Sequence, residues 1–401
     1  MRVSTQQFYF QNAQQLSNKQ SDVNNQIEYI SSGKRVLTAQ DDAVAYTSLA
    51  GYKTELANIE KYQRNITQAQ NRNSFRENTF ASAEDVMQQF KQLFIQARNG
   101  TLSDVDLKAL AELGRNSQAQ MLDLANSKDE TGGYVFSGYQ IDKKPFAQQI
   151  DGSVIYQGDN GVRQLQIAKN VLVDINEPGD SAFDKVLNAD GDFTAKYNTN
   201  TSGISITKAA IVDRGAYNAV ANPPDYNFSF TSSTDLTVTD NNGAVVFNTA
   251  SYVPGQIIAF NGVEVQLNGK PLPGDDFDLT PQEHISIFDT INNAIKWMEQ
   301  GSSAPDSVIH AIEHDKTLGQ LEAALNHMTS MRVSAGVNQK LIENQGGIHS
   351  DNQIYLSKGQ SVIEDLDFAS AVANFEQSKV ALQAAQQTFS QLSNMSLFNY
   401  L

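Results

Sequence analysis

The sequence contains no cysteine, and its nine prolines all lie between positions 145 and 305. Without cysteine there is no disulfide framework, no thiolate metal site and no cysteine nucleophile. Because proline breaks helix interiors, only the two ends of the 401-residue chain are free to form long uninterrupted helices. The distribution of proline therefore predicts helical ends and a differently folded middle.

Charge and long apolar runs are also scarce. Charged residues make up 18% of the chain, and the net charge is −16. This balance argues against nucleic acid as a partner, because phosphates need clustered Lys and Arg, and against anionic membrane surfaces. No run of about 18 apolar residues is present, so we expect no membrane span. The start of the chain has one basic residue and no apolar run behind it, so we expect no cleaved signal peptide.

Apolar residues at a spacing of seven mark both ends of the chain. A first row predicts a coiled-coil seam in the N-terminal helix. A second row predicts one long helix from about Ala43 to Arg98, with Asp41 and Asp42 as capping acceptors at its start. A third helix is expected to begin at Ser103. The two heptad rows are Tyr9, Leu16, Val23 and Ile30, then Tyr52, Ile59, Ile66, Asn73, Phe80, Met87 and Phe94.

The middle of the chain carries turn signals between short apolar runs. Asn-Gly pairs in such positions favour type I′ hairpin turns, which need two positive φ angles. We expect hairpins at residues 159–161, 241–243 and 261–262, and a strand at residues 134–136. These signals predict an antiparallel β insert.

Helical patterns return at about Gln282 and continue to the alanine-rich segment from Val362 to Leu392. The expected fold is mainly α with a β-rich insertion, in which long terminal coiled-coil helices and a helical rod carry an outer antiparallel β domain. We expect three parts: 1–42 with 360–401, 43–135 with 282–359, and 136–281. Neither terminal segment can bury its narrow apolar stripe alone, so each needs the other or a neighbouring subunit.

One motif suggests metal chemistry. His310, Glu313 and His314 match H-x-x-E-H, which places two imidazoles on one helical face with a glutamate as base. A catalytic zinc also needs a third protein ligand, and the sequence offers only ordinary downstream glutamates such as Glu364 and Glu376. The alternative is a solvated helix face, so we expect no metal, no cofactor and no catalytic residues, with a zinc peptidase kept as a minor alternative.

Short recognisable motifs occur at residues 1–5, 30–36, 41–42, 99–104, 133–139, 145–146, 365–371, 381–389 and 396–401. These segments resemble the flagellin superfamily, and look most similar to the hook-associated proteins of the hook–filament junction (FlgL type). One departure is Ala43, because the junction family usually has proline there and flagellin-like chains often have alanine. A flagellin filament subunit therefore stays open as an alternative.

The resemblance implies a structural, non-enzymatic component of the bacterial flagellum that joins hook to filament. Its implied partners are the first hook-associated protein, flagellin, further copies in a ring of about eleven, and an export chaperone before secretion. It implies an extracellular location at the junction, type III export without signal cleavage, and helical termini paired in an inner tube. The expected assembly interface consists of Tyr9, Leu16, Val23, Ile27, Ile30, Leu366, Phe368, Val372, Phe375, Leu382, Phe389, Leu397, Phe398 and Leu401.

Overall fold

The structure is a computed structural model that describes residues 5–220, 225–304 and 306–398. The helices are α1 (Thr5–Ser32), α2 (Ala43–Ala97), α3 (Asp104–Ala125), α4 (Arg214–Asn218), α5 (Ile287–Gln300), α6 (Ser307–Glu364) and α7 (Phe368–Phe398). The strands of the first half of the insert are β1 (Phe146–Gln148), β2 (Val154–Tyr156), β3 (Gln164–Ala168), β4 (Val171–Asp174), β5 (Val186–Leu187), β6 (Phe193–Thr199) and β7 (Ser205–Ile211). Those of the second half are β8 (Tyr226–Phe230), β9 (Leu236–Asp240), β10 (Val245–Thr249), β11 (Ile257–Phe260), β12 (Val263–Asn268), β13 (Asp276–Pro281) and β14 (His284–Ile285).

The chain divides into two compact units, residues 1–65 with 344–401 and residues 66–343. Helices α2 and α6 contribute to both units, because they are 55 and 58 residues long. The predicted second helix is confirmed to within one residue at its end. Neither long helix contains a described proline, which is why the intrahelical hydrogen bonds can continue without a break.

The first unit pairs α1 with α7 and joins them to the start of α2 and the end of α6. An isolated antiparallel bridge between Lys34 and Asp365 lies where both chain segments turn. Val36, Ala45 and Leu49 form a small buried cluster, and Ile363 packs against it. This unit is a set of paired helices with little buried core of its own.

The helical part of the second unit has a large aromatic core. Phe80, Met87 and Phe94 of the predicted heptad row are fully buried, as is Phe90 between them. They pack with apolar residues of α3, α5 and α6. Burial of such side chains contributes roughly 1.5–3 kcal/mol each, so this cluster stabilises the unit far more than any surface contact.

The central insert contains antiparallel sheets. A five-stranded sheet has the order β10-β9-β8-β13-β6, and a three-stranded sheet has the order β11-β12-β7. Their buried residues form one shared core, in which Phe228 and Phe277 stack at 4.8 Å between ring centroids. The expected fold class, long terminal helices with a central antiparallel β insertion, is confirmed.

Two of the three expected hairpins form. β9 pairs with β10 across residues 241–243, and β11 pairs with β12 across Asn261 and Gly262. Asn261 has φ 47° and Gly262 has φ 76°, as a type I′ turn requires. The turn residues therefore predicted a hairpin correctly in the two cases where the flanking strands are consecutive in the chain and pair with each other.

The third hairpin and one strand were wrong. β2 pairs with the preceding β1, and β3 pairs with β4, so residues 159–161 do not join two paired strands. Asp159 instead accepts hydrogen bonds from the backbone N–H groups of Tyr139 and Gly161, both at 2.8 Å. Residues 134–136 contain only an isolated bridge from Tyr134 to Lys128, and Phe136 is buried in the helical core.

Two helix boundaries also differ from the prediction. Residues 284–285 form β14, and α5 begins only after Ser286, whose hydroxyl accepts the N–H of Phe288 at 3.2 Å. The C-terminal pattern from Val362 to Leu392 is interrupted at residues 365–367, which separate α6 from α7.

Among the described residues, no helix combines the length and apolar character needed to cross a membrane.

Candidate assembly site on the terminal helices

Helices α1 and α7 run antiparallel in the first unit. The rings of Tyr9 and Phe389 meet edge to face with centroids 6.2 Å apart, so the start of α1 lies beside the end of α7. At the other end of the pair, the N–H of Leu366 donates to the carbonyl oxygen of Gly33 at 3.0 Å. The seven-residue spacing keeps one stripe of each helix on this shared side.

Glu364 fixes the corner where these segments meet. Its carboxylate is only 4% exposed and accepts hydrogen bonds from Lys34 Nζ at 2.8 Å, Lys53 Nζ at 3.0 Å and Gln360 Nε2 at 2.5 Å. Burial by itself raises the pKa of this carboxyl group, but the three donors outweigh burial and lower the pKa to about 2. The group is therefore ionised at neutral pH.

The turn between α1 and α2 is held by the residues that the resemblance singled out. Arg35 donates its backbone N–H to the carbonyl of Glu364 at 2.7 Å and its guanidinium to that of Ile363 at 3.0 Å. The side chain of Asp42 accepts the N–H of Ala45 at 2.9 Å, so it caps α2 as expected. Asp41 does not cap α2. Its carboxylate instead accepts hydrogen bonds from the backbone N–H groups of Leu37 and Thr38 and from the hydroxyl of Tyr29 at 2.6 Å.

The expected interface residues fall into three groups. Ile27, Phe368 and Val372 are exposed in the single chain, at 48%, 55% and 43%. The side chains of Leu397 and Phe398, and the whole of Leu401, lie outside the described residues. The half-buried group consists of Tyr9, Leu16, Val23, Ile30, Leu366, Phe375, Leu382 and Phe389.

These burial values leave apolar surface on the helix pair. Half-buried heptad residues show that α1 and α7 shield each other in part, and the three exposed ones show that the shielding is incomplete. The exposed residues come from both helices of the pair, so the pair offers apolar side chains to a partner surface. Sequence reasoning missed the role of Glu364, because a single glutamate among polar residues carries no local signal of two lysines 311 and 330 positions away.

The H-x-x-E-H motif is explained by packing. His310 stacks on Trp297 at 4.2 Å, and its Nε2 lies 3.2 Å from the carbonyl oxygen of Trp297. His314 is buried, stacks on Phe94 at 4.5 Å and directs its Nε2 at the carbonyl oxygen of Phe94 at 3.4 Å. A carbonyl oxygen only accepts, so each of these hydrogen bonds forms with the tautomer that carries the proton on Nε2, and in that tautomer Nε2 offers no lone pair to a metal.

The third ligand of the zinc interpretation is also missing. Within residues 5–220, 225–304 and 306–398, no three His, Asp or Glu side chains are grouped as a metal site. Glu364, one of the candidates, is bound to Lys34 and Lys53 instead. The structure therefore gives the zinc-peptidase alternative no support.

Comparison with known proteins places the two helical ends in a known family. A sequence model of the bacterial flagellin N-terminal helical region matches residues 3–141, and one of the C-terminal helical region matches residues 318–401. Flagellar hook-associated protein 3 of Salmonella typhimurium (strain LT2) is 27% identical over 398 residues, which cover 99% of this chain and 99% of that protein.

Solved structures agree with this placement. FlgL of Xanthomonas campestris is 28% identical, with 77% of this chain and 99% of that chain covered at a TM-score of 0.64. The flagellar junction protein FlgL of Legionella pneumophila is 26% identical, with 79% and 99% covered at a TM-score of 0.64. The matches of both helical ends to the family models, the similarity over nearly the whole chain to a hook-associated protein and the likeness to solved FlgL structures make this chain a member of the flagellin superfamily, of the FlgL-type hook-associated proteins.

Proposed function

We propose that this chain is a structural component of the bacterial flagellum that joins the hook to the flagellin filament. The observation that carries the proposal is the incompletely shielded pair α1 and α7, whose exposed apolar residues Ile27, Phe368 and Val372 need a partner surface. Flagellar hook-associated protein 3 of Salmonella typhimurium is similar over nearly the whole chain, and the flagellar junction protein FlgL of Legionella pneumophila over 79% of it. This chain acts by binding, and no catalytic step is assigned to it.

The partners follow from a junction position. One side binds the first hook-associated protein, the other binds flagellin, and copies of this chain form a closed ring of about eleven. Before assembly an export chaperone covers the apolar termini, and the chain leaves the cell by the flagellar type III route without signal cleavage. Its working place is then extracellular, at the hook–filament junction.

The three-part division gives each region one role in this proposal. Residues 1–42 with 360–401 form the inner tube, and residues 43–135 with 282–359 form the surrounding helical layer. Residues 136–281 form the outer insert. The half-buried heptad residues hold α1 to α7, and the exposed ones contact neighbouring subunits.

Deletion of the gene tests the junction role. Cells without the chain should keep intact hooks but release flagellin monomer into the medium, because export continues and nothing retains the filament. Complementation with the wild-type gene should restore attached filaments. Deleted cells that still carry filaments of normal length would contradict the proposal.

A flagellin filament subunit is the second candidate, and Ala43 is the feature that favours it. Under that alternative, purified protein should polymerise by itself into long filaments. The junction proposal predicts that it does not, which electron microscopy of the purified chain under polymerising salt conditions can decide.

A further inference from the structure

The turn between α2 and α3 contains an Asn-Gly pair that the assembly role does not use. The sequence has five such pairs, at residues 99–100, 160–161, 242–243, 261–262 and 268–269. In an Asn-Gly pair the glycine nitrogen can attack the asparagine side chain, because glycine has no Cβ to obstruct the approach. The five pairs have different surroundings in the structure, so they are not equivalent sites for this reaction.

At residues 99–100 the glycine nitrogen is accessible and the asparagine side chain is polarised. Asn99, Gly100 and Thr101 are exposed, and a Cβ added to Gly100 would meet nothing within 4 Å. The N–H of Gly100 donates to no acceptor in the part of the chain that the structure describes. The Oδ1 atom of Asn99 accepts two hydrogen bonds from Thr101, one from its N–H at 3.2 Å and one from its hydroxyl at 3.0 Å.

The two donors of Thr101 lie where negative charge develops during the attack. When a nucleophile adds to Cγ of Asn99, electrons move onto Oδ1, and donors already placed at such an oxygen stabilise the transition state. The nucleophile is the next residue of the chain, so no second molecule has to be positioned for the attack. Three consecutive residues therefore supply the electrophile, the nucleophile and the oxyanion donors.

In three of the other pairs the glycine N–H is already engaged. The acceptors are Asp159 Oδ1 for Gly161 at 2.8 Å, the carbonyl oxygen of Asp240 for Gly243 at 2.9 Å, and Asn268 Oδ1 for Gly269 at 3.0 Å. Each of these hydrogen bonds has to break before the nitrogen can attack, which costs free energy and slows the reaction.

The fifth pair is held tightly inside the β insert. Asn261 is half-buried in the type I′ turn, and the carbonyl oxygen of Gly262 accepts the N–H groups of Val212 at 2.9 Å and Asp213 at 3.1 Å. A Cβ added to Gly262 would lie 2.2 Å from the carbonyl oxygen of Asp213, so the backbone is closely packed here. This packing opposes the backbone rotation that ring closure requires.

We propose that Asn99 is a site of spontaneous covalent modification, at which water converts the asparagine to aspartate and isoaspartate. A base from the solvent removes the proton of the Gly100 N–H, and the nitrogen forms a bond to Cγ of Asn99. The Cγ–Nδ2 bond breaks, and the side-chain nitrogen leaves as ammonia with a proton returned by the solvent. Water then opens the succinimide ring at either carbonyl carbon, so the chain gains one water and loses one ammonia.

The product alters the connection between α2 and α3. It adds a carboxylate just beyond the C-terminus of α2, where the helix dipole disfavours negative charge. Isoaspartate also inserts one extra atom into the main chain, next to the hydrogen bond from the N–H of Leu102 to the carbonyl oxygen of Asn99 at 3.0 Å. The modification distinguishes old chains from new ones and does not depend on the proposed junction role.

Peptide mapping by mass spectrometry tests the proposal on the full-length chain, aged at mildly alkaline pH in oxygen-18 water. Trypsin releases residues 99–108, which contain this Asn-Gly pair alone. In the folded chain isoaspartate and oxygen-18 should appear first at residue 99, whereas in urea all five pairs should react at similar rates. Thr101→Val should slow the reaction at Asn99 about tenfold in the folded chain, the effect of one lost hydrogen bond to a charged group.

Two controls separate the turn geometry from other effects. Thr54→Val changes an exposed threonine of α2 whose hydroxyl donates to the carbonyl oxygen of Ala50, and this variant should react at residue 99 like wild type. In urea Thr101→Val should also react like wild type, because the turn is absent. The proposal is overturned if another pair reacts first in the folded chain, if Asn99 reacts only in urea, or if folded Thr101→Val reacts at the wild-type rate.

Discussion

Glu364 places a carboxylate that is almost fully buried between the ammonium groups of Lys34 and Lys53. Its lowered pKa of about 2, against an ordinary value of 4.5, means that the ionised group stabilises the fold. This contribution is complete above about pH 4.5 and is lost as pH falls through the folded-state pKa near 2.

Glu364→Gln should therefore destabilise the corner of the first unit at pH 7 by about 1.5–3 kcal/mol, the range for hydrogen bonds to charged groups. Hydrogen–deuterium exchange should show faster exchange of the N–H groups of Arg35 and Leu366, which bond across this corner. The difference from wild type should shrink as pH is lowered from 4.5 toward 2. Glu376→Gln, which breaks an exposed pair with Lys379, should change little and is the control.

Gly138 gives a second test at the residue scale. Its φ is 73°, and an added Cβ would lie 2.3 Å from the carbonyl oxygen of Asp159. Gly132 has a similar φ of 84° with open space around the position of a Cβ. Gly132→Ala should cost about 1 kcal/mol, the left-handed penalty alone, whereas Gly138→Ala should cost about 3 kcal/mol or more.

Fluorescence of Trp297 reports these two variants, because it is the single tryptophan and lies buried in the same unit. The urea midpoint should fall clearly more for Gly138→Ala than for Gly132→Ala. Equal shifts would mean that the close approach of Asp159 has no energetic consequence.

At the scale of elements, α7 depends on a cap that separates it from α6. Asp367 accepts the N–H groups of Ala369 at 3.1 Å and Ser370 at 3.2 Å. Asp367→Ala should remove about 1 kcal/mol of helix stability and speed the exchange of both N–H groups. Asp351→Ala, in the exposed interior of α6, should be neutral or slightly stabilising. Unchanged exchange in Asp367→Ala would show that α7 does not need this cap.

The elements that the sequence predicted well are those with long local periodicity. The heptad row of α2 predicted its extent, since its members recur every seven positions from Tyr52 to Phe94 and six of the seven are buried. The α3 start at Ser103 was equally clear, because Ser103 and Asp106 form a capping box within three residues. Such signals depend only on neighbours in the chain.

The predictions that were wrong or missing concern contacts between residues that are distant in sequence. Residues 134–136 are apolar because Phe136 joins an aromatic core with Phe80 and Phe183, which the local pattern cannot distinguish from a strand. Likewise, the heptads predicted that α1 and α7 need partners, but not that Glu364 joins Lys34 to Lys53.

At the scale of the whole molecule, the account rests on the exposed apolar residues of the terminal helices. Ile27 and Val372 are already in contact with solvent in the single chain, so a charge there has little effect on folding. In an assembled junction the same charge would be buried against a neighbouring subunit and would cost several kcal/mol. Folding and assembly can therefore be separated by substitution.

The most direct test is complementation of the deleted gene with Val372→Glu or Ile27→Glu. The control is Val253→Glu, at a valine of the β insert that is 60% exposed, somewhat more than Ile27 and Val372. The measured quantity is the fraction of flagellin shed into the medium, with wild-type circular dichroism and normal export of each variant verified. The account predicts heavy shedding with Val372→Glu and Ile27→Glu and attached filaments with Val253→Glu. Attached filaments of normal length with all three variants would contradict it.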